Sequence, residues 1–226
     1  MKIKWGALVV DGRNKIGGHV ASANRGGAYL RTKVSPKQPA STYTAHIRAV
    51  FSAISSAWKS LTQAQRTQWN NAVSDYKKSD IFGDIKNPSG FNLYQKLNNN
   101  LNQVSVAPIT IPPLPIAVSQ LTSASLTAVH AGAITLTFAP AVPAGETMII
   151  RATPSLSPGK NFVKSEFRFV QNALTADASP LAITTGYNAK FGAVGAAGEK
   201  IFVEVEHVSN TTGQASKRFK VSAIIS

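Results

Sequence analysis

From Tyr43 onward the apolar residues Tyr43, Ile47, Val50, Phe51, Ile54, Trp58 and Leu61 follow one another at steps of 4, 3, 1, 3, 4 and 3. Steps of three and four keep side chains on one side of a 3.6-residue turn, so the spacing predicts an amphipathic helix over 42–60. Ser41 stands where that helix needs an N-cap. Thr62, with Gln65 three residues on, forms a capping box for a second helix whose stripe is Trp69, Ala72, Val73 and Tyr76. A third helix is predicted to start near Ser89, after Pro88, and to present Phe91, Tyr94, Leu97, Leu101 and Val104. Three helices with short connections predict a small bundle.

Elsewhere the period is two. His19–Ala23 and Ala28–Val34 read as strands joined across Asn24-Arg25-Gly26-Gly27, where Asn and Gly tolerate the positive φ of a tight hairpin. Alternation places Tyr29, Arg31 and Lys33 on one face and Ala28, Leu30, Thr32 and Val34 on the other. The hairpin should therefore have an apolar side for a core and a basic side for a partner. After residue 119 seven strand-like runs succeed one another: SLTAVHAG, AITLTFAP, TMIIRATPS, KSEFRFVQN, PLAITTGYNAKFG, KIFVEVEHVSN and SKRFKVSAII. Turns rich in Gly, Pro, Asn and Ser separate them. In IFVEVEHV, Ile201, Val203 and Val205 point one way while Glu204 and Glu206 point the other.

Between these halves lies APITIPPLPIAVSQ, with Pro108, Pro112, Pro113 and Pro115. Proline at that density imposes an extended backbone and blocks both helix and central strand. The expected fold class is α+β in two domains. Residues 1–106 form a hairpin plus helical bundle, 107–118 a linker that sets the distance, and 119–226 an antiparallel β-sandwich of immunoglobulin or fibronectin type.

Charge sharpens that division. Residues 1–106 hold 15 Lys and Arg against 4 Asp and Glu, a net +11, whereas residues 107–226 hold 9 against 6, a net +3. The basic character belongs to the first half, and its field favours polyanions. The chain has no cysteine, so disulfides, thiolate zinc sites and cysteine nucleophiles are excluded. The apolar run Ala7–Val10 is short for a signal-peptide core, and no run approaches the length of a membrane span. A chain made in a cytoplasm and not exported by that route is the expectation.

Catalytic chemistry finds little support. His19, His46, His130 and His207 fall on different elements, and none has metal-ligand spacing. Asp80/Asp84, in a loop, and Glu204/Glu206, on the polar face of a strand, read as solvated charge. The glycine clusters DGRNKIGG and NRGG match neither phosphate-loop pattern, and no GxSxG elbow is present. Trp58 and Trp69, with Lys59 and Arg66 beside them, have the makings of a base-stacking platform. Both tryptophans fall on helical apolar stripes, which favours a core. No catalytic residue, cofactor or metal is expected.

The candidate partner-binding residues are therefore those of the hairpin. Arg25, Arg31 and Lys33, with Lys37 beyond, supply charge, and Gly26 and Gly27 shape the turn. They suit phosphate, an acidic protein rim or solvent alike.

The order NRGG, an arginine-bearing strand, WKSLTQAQRTQW and SGFNLYQKLNNNL, over about Gly17 to Leu101, resembles a pattern in uncharacterised small structural proteins of bacteriophages and prophages. The resemblance implies a non-enzymatic virion component, whether capsid, vertex, decoration or connector, made in the host bacterial cytoplasm and located in the particle. Its implied partners are other virion proteins, with the chain present in many copies or as a homo-oligomer. Two alternatives stand beside it: a DNA-binding or packaging-associated virion protein, and host-surface recognition by the C-terminal sandwich.

Overall fold

The computed structural model describes residues 1–6, 11–34 and 41–226; Ala7–Val10 and Lys37 lie outside them. The described residues form an α+β structure with four α-helices and several antiparallel sheets.

Three strands open the chain: β1 (Asn14–Ile16), β2 (His19–Asn24) and β3 (Gly27–Thr32). They form an antiparallel sheet in which Asn24 pairs with Gly27 across a two-residue turn. β1 was not anticipated from the sequence. The first residues add to the far edge, with Lys2 bridging Tyr29 and the Ile3 amide donating to the Ala28 carbonyl at 3.0 Å. The expected apolar face is thin. Ala21 is buried and Leu30 half-buried, but Val34 is exposed.

Helix α1 (Thr42–Ser60) is capped by Ser41, whose hydroxyl accepts from the Thr44 amide. Helix α2 (Gln63–Ala72) carries the complete Thr62/Gln65 capping box and runs into a 3-10 turn, Val73–Tyr76. A two-stranded ribbon follows, β4 (Lys78–Ser79) and β5 (Ile85–Lys86), and then α3 (Gly90–Gln103), capped by Ser89. Ile54, Leu61, Trp69, Val73, Leu93, Tyr94 and Leu97 form the core of these helices. Trp69 stands edge-on to Tyr94 at 5.2 Å, so both it and the partly buried Trp58 pack in the core and form no stacking platform. The α1 stripe is buried only in its second half. Tyr43, Ile47 and Phe51 remain exposed, while Val50, Ile54, Ala57 and Trp58 take the side that meets α3, where Gln95 bonds the Phe51 carbonyl and Ser55 and Phe91 packs on Trp58.

The second half holds β6 (Ser123–Ala128), β7 (Ile134–Ala139), β8 (Glu146–Ala152), β9 (Arg168–Ala173), β10 (Leu181–Ala182), α4 (Thr184–Phe191), β11 (Lys200–Ser209) and β12 (Phe219–Ile224). One sheet runs β10-β7-β6 and the other β12-β11-β8-β9, all antiparallel. A shared core that includes Leu136, Ile150, Val203 and Ile225 lies between them. One expectation fails here: PLAITTGYNAKFG is a two-residue strand followed by helix α4. Its Tyr187 is buried against the core that the two sheets share and stacks obliquely on Phe191 at 4.9 Å.

A second correction concerns Glu204 and Glu206. They do share the face opposite Ile201, Val203 and Val205, yet they are only 2% and 6% exposed. Glu204 lies directly across from Arg151 on β8 and Lys220 on β12. Arg151 reaches Glu206 at 2.8 Å, and Arg218 reaches Glu204 at 3.0 Å and Glu206 at 2.8 Å. Buried carboxylates need such partners, and the neighbouring strands supply them.

The proline-rich segment is extended, as its composition dictates, but it is no free spacer. Trp69 Nε1 donates to the Thr110 carbonyl and the Tyr76 hydroxyl to that of Pro113, both at 2.8 Å. The buried Asn98 side chain accepts from the Ile109 amide at 2.7 Å, and Gln214 binds Leu114 and Ile116 from the other side. Beneath the segment, Val104, just past the end of α3, packs on Ile149 and Val208 of the four-stranded sheet.

Candidate functional site

A concave surface lies where the β2–β3 turn, the β4–β5 ribbon and the start of α3 meet. It is a cleft of about 710 Å³. Lys2, Arg25, Lys77 and Lys86 line it together with Asn24, Asn87, Ser89 and Asn92. No Asp or Glu is among its lining residues.

Local chemistry fixes each wall. In the turn, Asn24 Oδ1 accepts from the Gly26 amide at 2.8 Å, an Asx turn that leaves Arg25 outermost. Gly27 follows with φ +103, the conformation glycine tolerates best. On the opposite wall, the Asp80 carboxylate accepts from the Phe82 and Asp84 amides at 2.8 and 3.2 Å, closing the ribbon. Two ion pairs then hold the first residues of the chain to that ribbon: Lys2–Asp80 at 3.5 Å and Lys4–Asp84 at 3.0 Å, with the Lys4 ammonium also over the Phe82 ring. Asp80 and Asp84 are thus structural ties, not the solvated loop charges their sequence context suggests. Partial removal from water works against ionisation of Asp80, but the two amides and Lys2 outweigh it and hold its carboxyl below the ordinary range.

The floor depends on Gly90. A Cβ there would lie 2.9 Å from the Asn70 amide nitrogen and 3.0 Å from the Trp69 carbonyl carbon, so only glycine lets α3 start this close to α2.

Of the five residues expected to form the partner face, the structure brings Arg25 and Gly26 into the cleft, and Gly27 shapes its rim. Arg31 and Lys33 stand at the far end of the hairpin, where Arg31 pairs with Val20 and the Lys33 amide bonds the Gly18 carbonyl. Both are exposed and neither lines the cleft. Sequence reasoning missed Lys2, Lys77 and Lys86. The doublet Lys77-Lys78 and Lys86 bracket the ribbon SDIFGDI, and that bracketing was the available signal. Lys78 and Lys86 are directly opposed across the ribbon, a like-charge pair that costs stability where no anion shares it.

The remaining candidates serve the fold. Arg66 donates to the Leu61 carbonyl at 2.8 Å and closes α1. His207 is buried with Nδ1 3.2 Å from Glu146. Among the described residues no three His, Asp or Glu side chains gather as a metal site, and no helix is long and apolar enough to cross a membrane.

Comparison of the chain with protein-family models, with curated proteins and with solved structures finds no match in any of the three.

Proposed function

We propose that the chain is a non-enzymatic structural component of a phage particle, held there through its basic N-terminal half and working in many copies among other virion proteins. One contrast carries this reading. In the second half the buried carboxylates Glu204 and Glu206 take up Arg151, Arg218 and Lys220 internally. In the first half Arg25, Lys77 and Lys86 converge on a cleft and pair with no carboxylate among the described residues, while the fourth lining cation, Lys2, is tied to Asp80. Charge spent inside a domain stabilises it; charge left gathered on a concave surface is available to a partner. The resemblance of residues 17–101 to phage structural proteins points the same way.

The C-terminal half fits an immunoglobulin- or fibronectin-like sandwich, with three strands facing four and a common core. Such a unit is carried by the anchored half as an outward-facing body.

The test is mass spectrometry of purified, nuclease-treated particles, with antibody labelling of the C-terminal half on the same particles. The chain present at a fixed copy number and labelled supports the reading. Its absence from particles overturns it.

A further inference from the structure

Building on the N-terminal half as the anchor, we infer that the cleft and the adjoining sheet face hold the phosphate backbone of a single nucleic-acid strand. The register of the sheet supplies the path. Lys15, Val20 and Arg31 are paired in one row across β1, β2 and β3, so their side chains share a face. Ser22 and Tyr29, paired two residues further along, share that face as well, and Lys2 bridges Tyr29 at the edge. Continuing in the same direction leads to the turn, to Arg25, and into the cleft with Lys77 and Lys86.

Cations therefore recur along one line from Arg31 to Lys86. Rows two residues apart in a strand are separated by about 6.8 Å, close to the distance between successive phosphates of one strand. Between them Tyr29 offers an aromatic ring on the same face, the element that single-strand grooves use for bases. The neutral lining also suits phosphate, since Asn24, Asn87, Ser89 and Asn92 present amides and a hydroxyl of the kind that contact phosphate oxygens. A protein partner is a poorer fit. Protein interfaces bury an apolar centre, and here only Ile85 and Pro88 are apolar.

The experiment is fluorescence anisotropy of the full-length chain with a labelled single-stranded DNA of mixed sequence, about 20 nucleotides long so as to exceed common single-domain site sizes. Rising NaCl should weaken binding with a log–log slope of about −3 to −4, as expected for roughly five neutralised phosphates. The R25E/K86E variant should bind at least about tenfold more weakly and flatten the slope by about 1.4 or more. K164E/K217E carries the same change of net charge on exposed residues outside the path, and should stay within about twofold of the parent. Among the described residues none of the four positions takes part in an ion pair, so circular dichroism should show both variants folded. The milder K77Q should lower affinity without reversing charge.

Equal loss in both double variants, or equal binding of the corresponding duplex, would overturn the assignment. So would displacement of the strand by polyglutamate at matched charge, in favour of an acidic protein. DNA binding lost while the chain remains in particles defeats this inference alone; binding kept by a chain absent from particles defeats only the virion reading.

Discussion

The Gln214 side-chain amide donates to the Tyr76 hydroxyl at 3.2 Å, joining residues 138 positions apart. The same amide donates to the Leu114 carbonyl at 2.7 Å, and its oxygen accepts from the Ile116 amide at 2.9 Å. Tyr76 in turn donates to Pro113. One glutamine thus fastens the C-terminal sheet, the proline-rich segment and the helical bundle together. Burial, with Asp75 adding to it, raises the Tyr76 phenol above its ordinary pKa, so the hydroxyl remains a donor throughout the neutral range.

Replacing Gln214 by Leu should cost about 1–3 kcal/mol, because buried backbone groups of the segment lose their partners. All three tryptophans lie in the first half, so their fluorescence reports that half alone. In urea, the tryptophan signal and far-ultraviolet circular dichroism should coincide for the parent and separate for the variant.

Gly213 lies against α3 with φ +67, and a Cβ there would strike the Leu97 carbonyl. Gly213→Ala should cost about 2–4 kcal/mol, combining left-handed strain with overpacking. A chemical-denaturation midpoint shifted by less than about 1 kcal/mol would show that α3 yields freely.

Arg151→Ala removes the one guanidinium that lies between Glu204 and Glu206 beneath the surface. Loss of a single partner from a buried cluster costs about 3–5 kcal/mol. Arg218→Ala should cost less, since Arg218 is more than half exposed and water screens its loss. Thermal unfolding of the two variants side by side gives the order.

Acid should loosen the β4–β5 ribbon and its tie to Lys2. The Asp80 carboxyl is held below the ordinary carboxylate range, so its contribution is complete above about pH 4, the unfolded value. It is lost as pH falls through the lower native value. Protection factors of the Phe82 and Asp84 amides, which remove the intrinsic pH dependence of exchange, should fall in that window for the parent, and Asp80→Asn should abolish that fall.

The sequence was most legible where structure is set locally. Ser41, Thr62 and Ser89 mark helix starts that depend on one side chain and the next three amides, and all three are found as caps. Strand alternation in residues 201–206 was equally plain. What alternation lacks is any record of what covers a face: Glu204 and Glu206 are buried with Arg151, from β8, and Arg218, from the residue before β12. Helix α4 was hidden for a similar reason. It has no side-chain cap and a weak apolar stripe, and Tyr187 is placed by tertiary packing. The site was half legible. Turn chemistry exposes Arg25 and Gly26, but Lys2 meets them from about twenty residues away and Lys77 and Lys86 from more than fifty, all through contacts between separate elements.

A segment clasped from both sides cannot act as a hinge. Pull on the C-terminal body is delivered as shear across Val104, Ile149 and Val208 and along α3, whose first turn forms the floor of the basic cleft. The described residues are built as a stiff bracket, whose helical arm and two-sheet arm keep a fixed attitude to one another.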